Sequence, residues 1–227
     1  LLLVAGGVLG GSMLGPIGAG FATAAAAWGL AEFFTRQRRM ALPSIVLLLA
    51  YVGGVSFGLV SLTQVDQGLK DALGVGMTLV ITAVIATATW LHWKRFHVPI
   101  TIAAGTAVVV LVLTSSVYQL ILPNQIGGLL IGLFVAGLAV FALAMRWDMS
   151  DPARQTQRAD VAFWLHLLAA PLLVHPIFST LGSGANLSVA AGLAIVGLYV
   201  LLAAVSLLID RRALMVSALV YVVYALN

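Results

Sequence analysis

The chain has 227 residues, of which 62% are hydrophobic and 8% charged. Because a soluble domain normally carries roughly 25% charged residues, this composition excludes an ordinary soluble globule and predicts a surface that faces lipid. Cysteine is absent, which excludes disulfides and thiolate catalysis, and the net charge of +4 is better explained by basic cytoplasmic loops than by nucleic-acid binding.

Apolar stretches long enough to cross a bilayer recur along the whole chain and predict an all-α, polytopic transmembrane bundle of about eight spans, with nine as the alternative. In chain order, the eight predicted spans are residues 17–34, 42–62, 72–93, 98–118, 126–145, 161–180, 187–209 and 213–227. A further apolar stretch, residues 1–14, precedes Gly15 and Pro16. It forms either a separate short span or the first half of one helix kinked at the proline, so residues 1–34 make one or two spans.

Both ends of the sequence suggest a longer polypeptide. The chain starts at Leu1 without the charged segment of a signal peptide. Residues 213–227 would give a helix of about 22 Å, whereas a span needs roughly 20 residues. We expect residues 1–227 to form a single transmembrane helical domain that is truncated at one or both ends.

Basic residues mark one side of the predicted topology. If the connection that holds Arg36, Arg38 and Arg39 is cytoplasmic, strict alternation places ten of the eleven basic residues on that side and only Lys70 on the other. A wrong span count would have scattered them. The sequence therefore predicts a multi-pass membrane protein whose basic loops are cytoplasmic.

Ionisable residues are nearly absent from the predicted spans, which argues against a proton- or sodium-coupled transporter. The one acidic residue in them is Glu32, and its spacing to Arg36 is that of an ordinary ion pair on a helix surface. Among the acidic residues of the longest loop, Asp148, Asp151 and Asp160 lack the spacing of a metal-ligand set. Within that loop, Ser150 or Asp151 before a proline predicts a helix start.

The predicted span 161–180 is the candidate functional helix, because it contains His166, Pro171, His175 and Pro176. Histidine can bind haem or relay protons, and a haem pair would need a second histidine, for which His92 is the candidate. Nine residues separate His166 from His175, which places their rings on opposite faces of a straight helix. Alternatively, each imidazole hydrogen-bonds a carbonyl freed by a proline or a side chain of a neighbouring helix.

Two patterns concern packing and polar lining. Glycines four residues apart, such as Gly54 and Gly58, predict close helix contacts, and such glycine-rich faces would serve a protein partner or a homo-oligomer. A run of Thr and Ser side chains could line a hydrophilic path, but backbone hydrogen bonds are the favoured interpretation. It comprises Thr82, Thr87, Thr89, Thr101, Thr106, Thr114, Ser115 and Ser116.

The segment from Arg146 to Pro176, with Asp-Val-Ala-Phe-Trp-Leu-His-Leu-Leu-Ala-Ala-Pro at its centre, resembles one found in poorly characterised bacterial polytopic inner-membrane proteins. The turn Arg-Arg-Met-Ala-Leu-Pro-Ser-Ile is similar to them as well. The resemblance covers about a quarter of the chain and implies a bacterial inner-membrane location, but no activity.

Three functions remain. The favoured one is an accessory or scaffold subunit, or the membrane anchor of a larger assembly, with the lipid bilayer and a protein as partners. The alternative is a transporter or channel for a neutral or weakly polar solute. The second alternative is a redox protein that binds haem or quinone through His166 and His92. We assign no catalytic residue and no metal ligand, predict no cofactor apart from this haem alternative, and do not favour an enzyme.

Overall fold

The computed structural model describes residues 2–63, 67–121 and 126–181, together with scattered positions between 193 and 207. All regular structure in these residues is helical, as predicted. The helices are α1 (Leu2–Ala31), a wider π-helical turn (Glu32–Gln37), α2 (Ala41–Leu62), α3 (Gln67–Phe96), α4 (Ile100–Ile121), α5 (Ile126–Met149) and α6 (Gln157–Leu181).

Six helical segments are long and apolar enough to cross a bilayer, which is consistent with a multi-pass membrane protein. They are Gly15–Gln37, Ala41–Leu62, Gly74–Phe96, Ile100–Tyr118, Gly127–Met149 and Gln157–Thr180. These correspond in order to the first six predicted spans. The last two predicted spans, 187–209 and 213–227, lie outside the described residues except for scattered positions, so the count of eight is not confirmed.

Gly15 reverses the chain inside α1. Its φ of 65° and ψ of −152° are accessible only to glycine. A Cβ placed on Gly6 would lie 3.2 Å from the Ala26 Cβ, and one on Gly7 would lie 2.9 Å from the Thr23 Oγ1. A continuous helix would hold Gly6 and Ala26 about 30 Å apart, so residues 2–14 must fold back on α1 as an antiparallel arm. The alternative of one long kinked helix is wrong.

The chain divides into two compact units, Leu1–Ser116 and Val117–Asn227. In the first unit, α1 and α2 touch through their backbones. A Cβ on Gly20 would lie 2.5 Å from the Gly58 backbone nitrogen, and one on Gly54 would lie 2.7 Å from the Gly20 carbonyl oxygen. These contacts confirm the packing role predicted for Gly54 and Gly58, because any larger residue would force the two backbones apart.

A buried apolar cluster joins the helices of the first unit. Its centre is Leu48, which is fully buried, with Val52 and Val55 from the same helix. Ile85 of α3 belongs to the cluster, and Ile100, Ala104 and Val108 of α4 pack against it. Ala24 of α1 is also a buried member, so four helices share one core.

The second unit is built on the α5–α6 hairpin, in which α6 carries most of the buried surface. Pro171 and Pro176 both lie inside α6. Gly137 of α5 lets the helices approach, because a Cβ there would lie 3.0 Å from the Leu172 backbone and from its Cβ. Several residues of α6 are fully buried, namely Val161, Ala162, Leu165, Ala169, Ala170 and Val174.

Three of the turns between helices are described in full, and in each of them the chain changes direction at a residue with a left-handed φ. These are Arg39 (51°), His97 (53°) and Arg154 (53°). A left-handed residue just past a helix end is a common way to stop a helix, although glycine is its usual occupant. The three basic turns therefore share a left-handed backbone conformation, which hydropathy does not predict.

Candidate functional site

The α6 helix separates the predicted site residues by face. His166 is fully buried and Pro176 is also buried, whereas Pro171 and His175 are exposed. His175 lies 3.4 Å from the Ser179 hydroxyl, one turn further along the same helix. His166 is therefore the histidine that faces the interior of the second unit.

His166 is paired with a carboxylate that the sequence analysis left in a loop. Its Nε2 lies 2.9 Å from Oδ2 of Asp148, whose side chain is 14% exposed. The Phe141 ring packs edge-on against the imidazole at 5.3 Å. Because Phe141 and Asp148 are seven residues apart, they lie on one face of α5, and His166 of α6 packs across that face.

Asp148 is part of a helix because α5 continues to Met149, whereas the predicted span ended at residue 145. The charged residues near the end of α5 interrupt the apolar run of the sequence but do not interrupt the helix. The seven-residue spacing from Phe141 is a signal that would have placed Asp148 on the inward face. The site thus combines one predicted residue, His166, with one that the prediction missed.

Asp151 organises the turn between α5 and α6. Its carboxylate accepts hydrogen bonds from the Thr156 hydroxyl (2.7 Å), the Thr156 amide (2.8 Å) and the Gln155 amide (3.3 Å). These bonds, that of the Thr156 hydroxyl first, lower the pKa of Asp151 below its ordinary value of 3.8. The prediction of a helix start at Ser150 or Asp151 is wrong, because α6 begins at Gln157 and Thr156 caps it by accepting from the Arg158 amide.

His92 lies in the first unit and is only 1% exposed. Its ring packs against Phe96 (4.6 Å between centroids), Tyr51 (5.3 Å, stacked) and Trp28 (5.9 Å, edge-on). Within the described part of the chain, neither ring nitrogen has a hydrogen-bond partner. His92 and His166 belong to different units, and their pairing around a haem stays a prediction.

Glu32 has two basic partners. The predicted pair with Arg36 is present, with 3.4 Å between Nη1 and Oε2. The shorter contacts come from Arg95 of α3, whose Nε lies 2.7 Å from Oε1 and whose Nη2 lies 3.1 Å from Oε2. This bidentate pair joins the end of the first span to the end of the third, so both basic turns lie at the same end of the unit.

The threonines of α3 and α4 mostly bond to their own helices. Thr82, Thr89 and Thr106 each donate to the carbonyl four residues earlier, at 2.7 to 2.8 Å. A pocket of about 290 Å³ lies between α3 and α4 and is lined in part by Thr89, Thr101 and Thr106. The Thr101 hydroxyl is buried and has no hydrogen-bond partner among the described residues.

Among the described residues, no group of three or more His, Asp or Glu side chains is arranged to hold a metal ion. Comparisons with protein-family models, with curated proteins and with solved structures find no match to this chain.

Proposed function

We propose that the chain is an accessory or scaffold subunit, or the membrane anchor, of a larger assembly in the bacterial inner membrane. The observation that carries this proposal is that ionisable side chains pair between neighbouring helices. Glu32 binds Arg95 across two helices, and Asp148 lies against His166 across another two. Both pairs tie helices together, which suits a subunit that holds a fixed shape.

The glycine contacts support the same role. Backbone contact between Gly20 and Gly54 leaves little freedom for α1 and α2 to slide, whereas a transporter needs helices or repeats that move against each other. Exposed apolar side chains remain along the helices for lipid or for a partner, for example Val135 (58%) and Ile131 (67%) of α5.

The basic turns are proposed to face the cytoplasm. The Glu32–Arg95 pair supports this orientation, because it holds two basic turns at one end, as the alternation of spans requires. The absence of native cysteine permits a direct test, in which single cysteines replace Arg38 or Ser150, both exposed. In intact cells, a membrane-impermeant maleimide should label neither position until the membrane is opened.

Liposome flux tests the scaffold proposal against transport. The purified full chain, reconstituted in sealed liposomes, should leave the permeability to small neutral solutes at the level of empty liposomes. A solute flux that depends on the protein and saturates with concentration would overturn the scaffold proposal.

The second candidate, a transporter or channel for a neutral or weakly polar solute, is favoured by the pocket between α3 and α4. The buried Thr101 hydroxyl provides a polar group there that the protein itself does not satisfy. Thr101→Val removes this hydroxyl with little change in shape. If the pocket carries solute, the variant should alter flux while the protein stays folded.

A further inference from the structure

A second pocket lies where α5 and α6 meet their connecting turn. It has a volume of about 340 Å³ and is lined by Leu143, Arg146, Trp147, Ser150 and Arg158. Small-molecule pockets usually measure roughly 300–1,000 Å³. The candidate span of α5 ends at Met149 and that of α6 begins at Gln157, so a bilayer crossed by both helices would place this pocket at the boundary between membrane and water.

Two arginine side chains line the pocket, Arg146 and Arg158. Within the described residues, neither the Arg146 nor the Arg158 side chain forms an ion pair. Of the neighbouring carboxylates, Asp148 lies against His166 and Asp151 accepts three hydrogen bonds from residues 155 and 156. Asp160 lies in the first turn of α6, two residues after Arg158. Asp151 attracts Arg158 electrostatically without forming an ion pair with it. Two guanidinium groups therefore line one pocket without an ion-pair partner among the described residues.

The pocket is held by short-range structure. Arg146 projects from the last turn of α5 and Arg158 from the first turn of α6. The turn between them is fixed by Asp151, and the Ser150 hydroxyl donates to the Trp147 carbonyl at 2.7 Å. The positive end of the α6 dipole adds to the charge of Arg158, which favours an anion at this end of the helix.

The remaining lining residues suit a ligand with an apolar part. Leu143 lies one turn deeper in α5 than Arg146, toward the middle of the span. The half-buried Trp147 places an amphipathic indole at the depth of lipid headgroups. An anion with an attached acyl chain would match both ends of the pocket.

We propose that this pocket binds a phosphate-bearing anion, held by the Arg146 and Arg158 guanidiniums, with the headgroup of an anionic phospholipid as the expected source. Arginine binds phosphate oxygens in bidentate geometry, and basic pockets between membrane helices are known sites for anionic headgroups. This ligand site is independent of the proposed scaffold role.

Lipid retention tests the proposal. The full chain is equilibrated in detergent with equal amounts of phosphatidylglycerol and phosphatidylcholine, repurified, and its bound lipid quantified by mass spectrometry. We expect phosphatidylglycerol to be enriched. Arg146→Gln and Arg158→Gln should each weaken its binding roughly fivefold, since a basic residue near the surface contributes about that factor.

Arg39→Gln is the matched control, because it removes one positive charge from an exposed basic turn in the other unit. It should retain phosphatidylglycerol like the unaltered chain. Each arginine of the pocket is exposed, so the glutamine variants should fold, and Arg→Lys variants should show intermediate binding because they keep the charge but lose the bidentate geometry.

Equilibrium dialysis with labelled inorganic phosphate separates the two sources of the anion. Phosphatidylglycerol binding without binding of free phosphate supports a headgroup site. Free phosphate that binds and is lost in both glutamine variants supports the same pocket with a soluble ligand. Equal retention of the two lipids together with no phosphate binding, or equal losses in Arg39→Gln and the pocket variants, would overturn the proposal.

Discussion

The Arg95 guanidinium holds the Glu32 carboxylate through two hydrogen bonds of 2.7 and 3.1 Å, although the residues are 63 positions apart. The pair closes the end of the first unit where two basic turns meet. Within the described residues, Glu32 is the ion-pair partner of Arg95.

A double-mutant cycle tests this pair. Glu32→Gln and Arg95→Gln should each lower thermal stability in detergent, because the first leaves Arg95 without its carboxylate and the second leaves Glu32 with only the longer contact to Arg36. The double variant should lose less than the two single losses combined. Strictly additive losses would contradict a direct interaction between these residues.

Gly54, which contacts α1, and its neighbour Gly53, which has open space beside it, allow a matched comparison. Gly54→Ala should cost about 1–3 kcal/mol of stability, because its Cβ would lie 2.7 Å from the Gly20 carbonyl oxygen. Gly53→Ala should be neutral or stabilising by up to about 1 kcal/mol, because a Cβ there meets nothing within 4 Å. Thermal unfolding in detergent measures both, and equal effects at the two positions would refute this packing.

The histidines of α6 should respond very differently to removal. His166→Ala should destabilise the protein by about 2–4 kcal/mol, because it empties a fully buried position and removes the hydrogen bond to Asp148. His175→Ala should change stability by no more than about 0.5 kcal/mol, because this side chain is exposed. A larger loss at His175 than at His166 would mean that α6 presents its other face to the core.

Substitution of His92 distinguishes a structural role of this residue from a ligand-binding role. Its two ring nitrogens lack partners within the described residues, so His92→Phe should raise stability by about 1–2 kcal/mol while preserving the ring contacts with Tyr51 and Phe96. If His92 binds haem, the purified protein should show a Soret band that this variant loses. Stabilisation without any such band would remove His92 from the redox alternative.

The turn before α6 should depend on the ionisation of Asp151. Because hydrogen bonds lower the pKa of this carboxyl, they stabilise the turn above the ordinary value of 3.8, and the stabilisation is lost as the pH falls through the lowered pKa. Hydrogen exchange at the Gln155 and Thr156 amides should therefore be slower than in Asp151→Ala at neutral pH. The two proteins should converge only under strongly acidic conditions, and convergence near neutrality would contradict the assignment.

Hydropathy predicted six described spans correctly because length and apolarity alone decide whether a helix can cross a bilayer. It left open whether residues 1–14 form a separate short span or the first half of a kinked helix, since both halves of that hairpin are apolar and the reversal depends on the φ of Gly15. It also ended α5 too early, because hydropathy falls at Arg146 while the backbone continues to Met149.

The candidate site was predictable only in part. The histidines and prolines of α6 made it the candidate helix and so pointed to His166. Extending the helical periodicity of α5 from Phe141 to Asp148 would have added Asp148 as its partner. The Arg95 partner of Glu32 could not be found in this way, because their contact depends on how α3 packs beside α1. The basic pocket could not be predicted from the sequence, because Arg146 and Arg158 are twelve positions apart and the turn between α5 and α6 brings them together.

The scaffold account is tested most directly by native mass spectrometry of the full chain, solubilised gently from the membrane in which it is made. The account predicts a reproducible mass above that of the 23.7 kDa chain, with a second protein as the difference. A bare monomer or a homo-oligomer at every mild detergent condition would contradict it and would favour the transporter.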